Sequence, residues 1–251
     1  MQLQLLRNAT LKIRFEGHTI LLDPWLQDKG TGFSIKPLNL EKKEIYYPID
    51  NLPLPPEEIL RDVECCLVTH FHPDHFSPDY LEKDLKIFVQ NEGDRVKAAE
   101  MGFTNVEAVP DDGLHNGRQV LLKTPAIHAK DPAVAYKLGP VSGYLLQGER
   151  QTLYIAGDTV YYPGIGKTIV ENKPDVIVLN CSDANPPLCR VFMNLDEVEA
   201  VCKAAPDAAV VVTHLDSYLY TSLTSQTVRK FAAEKGLRQL LVPDPGEWID
   251  L

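Results

Sequence analysis

The chain has 251 residues, with 25 Lys plus Arg against 35 Asp plus Glu and a net charge of −10. Its 44% hydrophobic and 24% charged content is that of an ordinary globular chain and excludes disorder, collagen-like repeats and a coiled coil. The acidic balance, with no run of five like charges, argues against a general nucleic-acid binder, which needs a basic stripe to neutralise phosphates.

In chain order, residues 3–15 place Leu3, Leu5, Leu11, Ile13 and Phe15 mostly two apart, as in a half-buried strand. A tight turn at 16–18 leads into a strand over 19–22, giving a hairpin that ends at Asp23-Pro24. Residues 25–57 lack a period and mix glycines and prolines with Trp25, Phe33, Tyr46 and Tyr47. So long a loop predicts a surface loop packed on its own aromatics, a lid over a site, or a contact that builds a homo-oligomer.

Further strands are expected over 65–69, 85–90, 106–109, 120–123, 142–146, 153–156, 176–180, 209–213 and 237–242. Ser77-Pro78 reads as an N-cap followed by proline at the first helical position. A second helix covers 93–101 and stops at Gly102. Over 194–205, Asn194 caps, Glu197 closes a capping box, and Val198, Val201, Cys202 and Ala205 form one apolar face. The last helix, 225–235, stops at Gly236. Strands first, then helices alternating with strands, predict a layered α/β chain with helices on sheet surfaces. No repeat or linker divides it, so residues 1–251 are expected to form one domain.

The opening residues lack the basic and continuous apolar segments of an export signal. Apolar stretches such as 176–179 and 210–212 are too short to span a bilayer, so no membrane insertion is expected. The five cysteines form no C-x-x-C pair; free thiols in a reducing cytoplasm account for them.

The chemistry concentrates in Thr69-His70-Phe71-His72-Pro73-Asp74-His75, on the loop that leaves an apolar strand. Open α/β sheets place ligands at that end of their strands. Imidazole and carboxylate groups clustered in this way suit divalent transition metals. The layout recurs: apolar runs lead to His128, to Asp158 and to His214. The candidate ligands are therefore His70, His72, Asp74, His75, His128, Asp158 and His214. Seven exceed the shell of one four-coordinate zinc and suit two ions if a carboxylate bridges them. Zinc is the default, with manganese, iron or cobalt as alternatives.

The H-x-H-x-D-H run, the lone His128, the Gly157-Asp158-Thr159 turn and the late Thr213-His214 resemble the metallo-β-lactamase superfamily. Leu21-Leu22-Asp23-Pro24-Trp25 and Ile155-Ala156-Gly157-Asp158-Thr159 bring it near the ascorbate-6-phosphate lactonase-like and N-acyl-phosphatidylethanolamine phospholipase D-like members. The resemblance implies a four-layer αβ/βα sandwich with metals at one edge. It implies that His70, His72 and His128 hold one ion, Asp74, His75 and His214 the other, and that Asp158 bridges. Asp74, His75 and Asp158 would be the catalytic residues. Asp23 either orients a ligating imidazole or forms an Asx-type turn before Pro24.

The activity implied is dinuclear hydrolysis of a small ester, lactone or phosphodiester by water activated at neutral pH. No Gly-x-Ser-x-Gly elbow offers another nucleophile. The partner expected is a small-molecule substrate, not nucleic acid. An RNA-processing nuclease, a di-iron oxidoreductase and a non-catalytic metal-binding member are the alternatives. The acidic balance disfavours the nuclease, the absence of a flavin-domain sequence the oxidoreductase, and the complete ligand set the non-catalytic member. Lys130, Tyr161, Tyr162, Ser182 and Asp183 fall near the same strand ends and either line the pocket or serve structure.

Overall fold

A computed structural model describes residues 1–35, 44–184, 189–219 and 221–251. The chain runs β1 (Gln2–Arg7), β2 (Thr10–Phe15), β3 (His18–Leu22), β4 (Ser34–Ile35), β5 (Ile45–Tyr46), α1 (Pro56–Leu60), β6 (Cys65–Leu67), β7 (Lys86–Val89), α2 (Glu92–Glu100) and β8 (Val106–Ala108). It continues through β9 (Leu114–Asn116), β10 (Gln119–Pro125), α3 (Pro132–Leu138), β11 (Ser142–Gln147), β12 (Thr152–Ile155), α4 (Pro163–Asn172) and β13 (Val176–Asn180). Then come α5 (Leu195–Ala204), β14 (Ala209–Thr213), α6 (Ser225–Lys235), β15 (Leu240–Leu241) and β16 (Trp248–Asp250).

Two seven-stranded sheets result, ordered β16-β1-β2-β3-β6-β7-β8 and β15-β14-β13-β12-β11-β10-β9. Each has an antiparallel half and a parallel half: β3, β6, β7 and β8 are parallel in the first, and β12 to β15 in the second. The last strand returns to the first sheet beside β1, with Gln4 opposite Trp248.

The layers follow from the two-residue period of a strand, which sends alternate side chains to opposite faces. Leu11, Ile13 and Phe15 of β2 meet Val176, Val178 and Val211 in the core between the sheets. Ile177, Leu179, Val210 and Val212 point the other way, onto Ile165, Ile169, Val198, Val201 and Val228 of the helices. On the outer face of the first sheet, Leu21, Cys66, Val68 and Ile87 pack with Ile59 and Ala98. The order helix, sheet, sheet, helix is the αβ/βα sandwich that the resemblance implies. Ile13 is wholly buried in the inter-sheet core. Ile13→Ala should cost about 2–5 kcal/mol, because the cavity it leaves cannot fully collapse. The check is a lower urea midpoint at an unchanged m-value; an unshifted midpoint would contradict this packing.

Several expectations need correction. The strand expected over 3–15 is two strands, because Asn8 takes φ +51° and turns the chain; asparagine tolerates that region better than most residues. No helix starts at Ser77-Pro78. The Ser77 hydroxyl accepts from Leu26 N (3.1 Å), its N–H donates to the Pro24 carbonyl (3.0 Å), and Tyr80 at φ +64° interrupts any helical run. The strand expected over 237–242 shrinks to Leu240–Leu241.

β9, α3, α4 and β16 were not expected. Two glycines dilute the helical pattern of α4, and three-residue strands carry too little period to read. The signal for α3 was present: Asp131 caps it and Pro132 opens it. Within 25–57 the structure shows β4, β5 and the start of α1; residues 36–43 of that expected loop lie outside the described residues. Among the described residues no helix is long and apolar enough to cross a membrane.

Candidate metal centre

Every candidate ligand leaves the C-terminal end of a strand or the loop that follows it. His70, His72, Asp74 and His75 follow β6, His128 follows β10, Asp158 follows β12 and His214 follows β14. These strands run the same way within each sheet, so their ends share one edge of the sandwich. A turn compacts the first four, with the N–H groups of His75 and Phe76 donating to the His72 carbonyl at 3.0 and 3.1 Å. Gly157 sets the turn before Asp158: its φ is +68°, and a Cβ there would come 2.8 Å from the Ser142 carbonyl oxygen.

The seven side chains converge in two groups, His70, His72, His128 and Asp158 in one and Asp74, His75 and His214 in the other. Within each group the donor atoms lie within 4.8 Å of one another. Asp158 Oδ2 stands between the groups, 3.7 Å from His70 Nε2 and 3.4 Å from His128 Nε2, and 3.2 Å from His75 Nε2 and 3.9 Å from His214 Nε2. Asp74 Oδ2 lies 3.1 Å from His214 Nε2 and 3.8 Å from His75 Nε2. The ring nitrogen His70 Nε2 is buried with no hydrogen-bond partner. An orphaned buried acceptor turned inward fits a cation, which would supply the missing partner.

Most of the imidazoles are fixed from behind, which decides which nitrogen faces inward. The Asp23 carboxylate is the main anchor. It accepts from His75 Nδ1 (2.8 Å), from Thr69 N (2.7 Å) and from the Thr69 hydroxyl (2.8 Å). With its proton spent on Asp23, the Thr69 hydroxyl accepts from His70 Nδ1 at 3.0 Å. One carboxylate thus orients two imidazoles, and its role is more than an Asx-type turn. His128 Nδ1 is held by the Val191 carbonyl (3.1 Å). His72 is reversed: Nε2 donates to the Leu138 carbonyl (2.8 Å), so Nδ1 faces the site.

Residues outside the sequence-based set complete the frame. Asn180 Nδ2 donates to Asp158 Oδ1 (2.7 Å), and the Thr213 hydroxyl steadies Asn180 (2.7 Å). This leaves Asp158 Oδ2 free to face the histidines. Asn8 Nδ2 reaches the Asp74 side chain (3.2 Å), while its carbonyl accepts from His214 N (3.0 Å). Asn8 and Asn180 each sit at the end of a strand, the same positional signal that marked the histidines. The rings of Phe192 and Tyr218 flank His214 at 4.5 and 6.0 Å.

The electrostatics are those of a cation site. Burial pushes the Asp23 carboxyl up, against the pull of His75. Burial also opposes ionisation of Asp74 and Asp158, but their interactions with His75 and His214 together outweigh it and hold both well below the usual carboxylate range. His75 itself is pressed down by burial and carried well above the ordinary imidazole value by Asp158, Asp74 and Asp23. His70 and His128 are driven down by burial and stay neutral. A pocket that draws a proton onto a buried imidazole has a negative interior, and neutral imidazoles with ionised carboxylates are the forms that ligate metal.

Three of the other candidates have partners of their own. Lys130 Nζ pairs with Glu197 (3.3 Å), the Tyr162 hydroxyl donates to the Pro125 carbonyl (2.7 Å), and Asp183 accepts from Ser222 N (3.0 Å). Cys181 is buried and free. In the 25–57 segment, Phe33 stacks on Tyr47 at 5.1 Å and Trp25 on Phe33 at 5.9 Å. The expected packing on its own aromatics is what the described part shows.

Residues 2–214 match the model of a family described as the beta-lactamase superfamily domain. The chain is 33% identical over 253 residues to the UPF0173 protein YddR of Bacillus subtilis (strain 168), covering 98% of each. Among solved structures it is similar to an isothiocyanate hydrolase from Delia radicum gut bacteria, with 28% identity, a TM-score of 0.90, and 100% and 99% of the two chains covered. A protein described as "a possible metal-dependent hydrolase" from Veillonella parvula DSM 2008 gives the same identity, TM-score and coverage.

Proposed function

The chain belongs to the metallo-β-lactamase superfamily, and from that premise we propose that it is a dinuclear metal-dependent hydrolase of a small electrophilic substrate. The observation that carries this is the position of Asp158 Oδ2, 3.2–3.9 Å from the Nε2 atoms of four histidines drawn from both groups. His70, His72 and His128 would hold one ion, Asp74, His75 and His214 the other, with Asp158 shared. Zinc suits this donor set, with manganese or iron as the alternatives.

When bound, two such ions lower the pKa of water to about 7 and polarise a carbonyl, phosphoryl or related acceptor. The chain's own residues do the rest. Asp74 and Asp158 offset part of the cationic charge. Asp23, Thr69, Leu138 and Val191 hold the imidazoles in one tautomer, so that no reorganisation accompanies the reaction. His72 is the least buried of the seven side chains and marks the open side of the centre.

Elemental analysis should find close to two transition-metal ions per chain; one or none would remove the dinuclear reading. A panel of esters, lactones, phosphodiesters and thioesters should identify the bond cleaved. Isothiocyanates join it because a relative 28% identical is named for hydrolysing them. Single-stranded RNA in the same panel tests the nuclease alternative. Turnover should vanish on chelation and return with the ion, and turnover indifferent to chelator would refute the proposal.

A further inference from the structure

Resting on that hydrolase function, we infer that the site selects a substrate with an uncharged aromatic substituent and that Tyr218 determines this selection. The Tyr218 ring lies parallel to the His214 imidazole, 5° apart in plane and 6.0 Å between centroids. Phe192 closes on the same imidazole at 4.5 Å and on His128 at 5.6 Å. Two aromatic rings therefore adjoin two candidate ligands, one from each metal group.

Tyr218 is braced from behind. Tyr47 lies 5.0 Å and Phe33 6.3 Å from it, and both belong to the aromatic stack that Trp25 completes. Trp25 and Tyr47 are wholly buried, whereas Tyr218 is half-buried. An aromatic face held in place by a buried platform binds a ring without first having to be ordered. Ring–ring contact adds to the area buried and prefers offset or edge-on geometry. The exposed apolar side chains Ile127 and Leu219 adjoin His128 and Tyr218 in the sequence.

The charges point away from an anionic substituent. Lys130 and Arg190 both close on Glu197, at 3.3 and 2.7 Å. Arg7 is buried and spends its guanidinium on the carbonyls of Trp25, Gln27 and Asp50. A carboxylate tail would find these three cations already engaged, and an aromatic one would meet rings.

The test uses three hydroxamates that share one metal-chelating head: acetohydroxamate, phenylacetohydroxamate and the monohydroxamate of succinate. Each is titrated calorimetrically into the metal-loaded full chain, and the readout is the ratio of dissociation constants. Phenylacetohydroxamate should bind about tenfold more tightly than acetohydroxamate, and the succinate compound no more tightly than acetohydroxamate. Tyr218→Ala should bring the phenyl-to-methyl ratio within about twofold of unity, whereas Tyr218→Phe, which keeps the ring, should preserve it. If the alanine variant does not fold, Tyr218→Leu should show the same collapse. Because the head group is common, a general change in metal content cancels from the ratio. A ratio near one in the unaltered chain, or one that survives the loss of the ring, overturns the inference and leaves the hydrolase function standing. If none of the three binds a chain that holds its two ions, the inference falls and the metal site stands; if the chain holds no ions, the hydrolase function falls and the inference with it.

Discussion

If the proposed dinuclear site is right, Asp158→Asn should leave a folded chain that no longer holds two ions. The substitution keeps the shape of the side chain and an oxygen that can accept from Asn180, now at 2.7 Å from Asp158 Oδ1. It removes the negative charge from the atom that lies within 3.9 Å of four imidazole nitrogens. With that charge gone, each group loses the donor that the two share. We expect bound metal to fall below one ion per chain and turnover to fall by more than about 10³-fold, beyond the 10–100-fold typical of an outer partner. Elemental analysis beside circular dichroism checks this. Two ions retained at unchanged affinity would show that Asp158 does not bridge.

Asp23→Ala acts one step further out and should damage both binding and stability. The Asp23 side chain is 1% exposed and accepts three hydrogen bonds, from Thr69 N, the Thr69 hydroxyl and His75 Nδ1. Removing it strands those buried donors, at about 1–3 kcal/mol for each group left unpaired. It also frees the His75 ring to turn and releases the Thr69 hydroxyl from the geometry that orients His70. Metal affinity should drop about 10–100-fold, as for other partners that stand behind ligating histidines. A competition titration against a chromophoric chelator measures this, and the urea midpoint should fall in parallel. Affinity within twofold of the unaltered chain would mean that Asp23 is only a turn residue.

The two variants separate roles that the structure distinguishes by distance. Asp158 faces the centre directly and should lose metal with little loss of stability. Asp23 never faces the centre and should lose both.

How far these roles could be read beforehand depends on the residue. The buried strands 176–180 and 209–213 were legible to the residue, because an unbroken apolar run bounded by polar groups has few alternatives. The helix capped by Asn194 was equally legible, since its capping box is local chemistry confirmed at both hydrogen bonds. Ser77-Pro78 shows the limit of such local rules. Its capping sequence is sound, but Ser77 is claimed by Pro24 and Leu26, more than fifty positions away, through bonds that no local pattern reveals. The 25–57 segment was legible as aromatic-rich and no further, because its ring contacts with Tyr218 depend on where the strand before His214 ends in the second sheet.

By itself the sequence determined the layered α/β class and the seven candidate ligands, because strand period, ligand chemistry and the polar residue that ends an apolar run are properties of neighbours along the chain. Only the tertiary structure decided which imidazole nitrogen faces inward, that Asp23 serves two histidines, that Asn180 and Asn8 steady the two carboxylates, and that Tyr218 stands beside His214. The pairings of Asp23, Asn180 and Asn8 join β3 to the loop after β6, β12 to β13 and β1 to the loop after β6, so they exist only once the sheet order has brought distant strand ends to one edge.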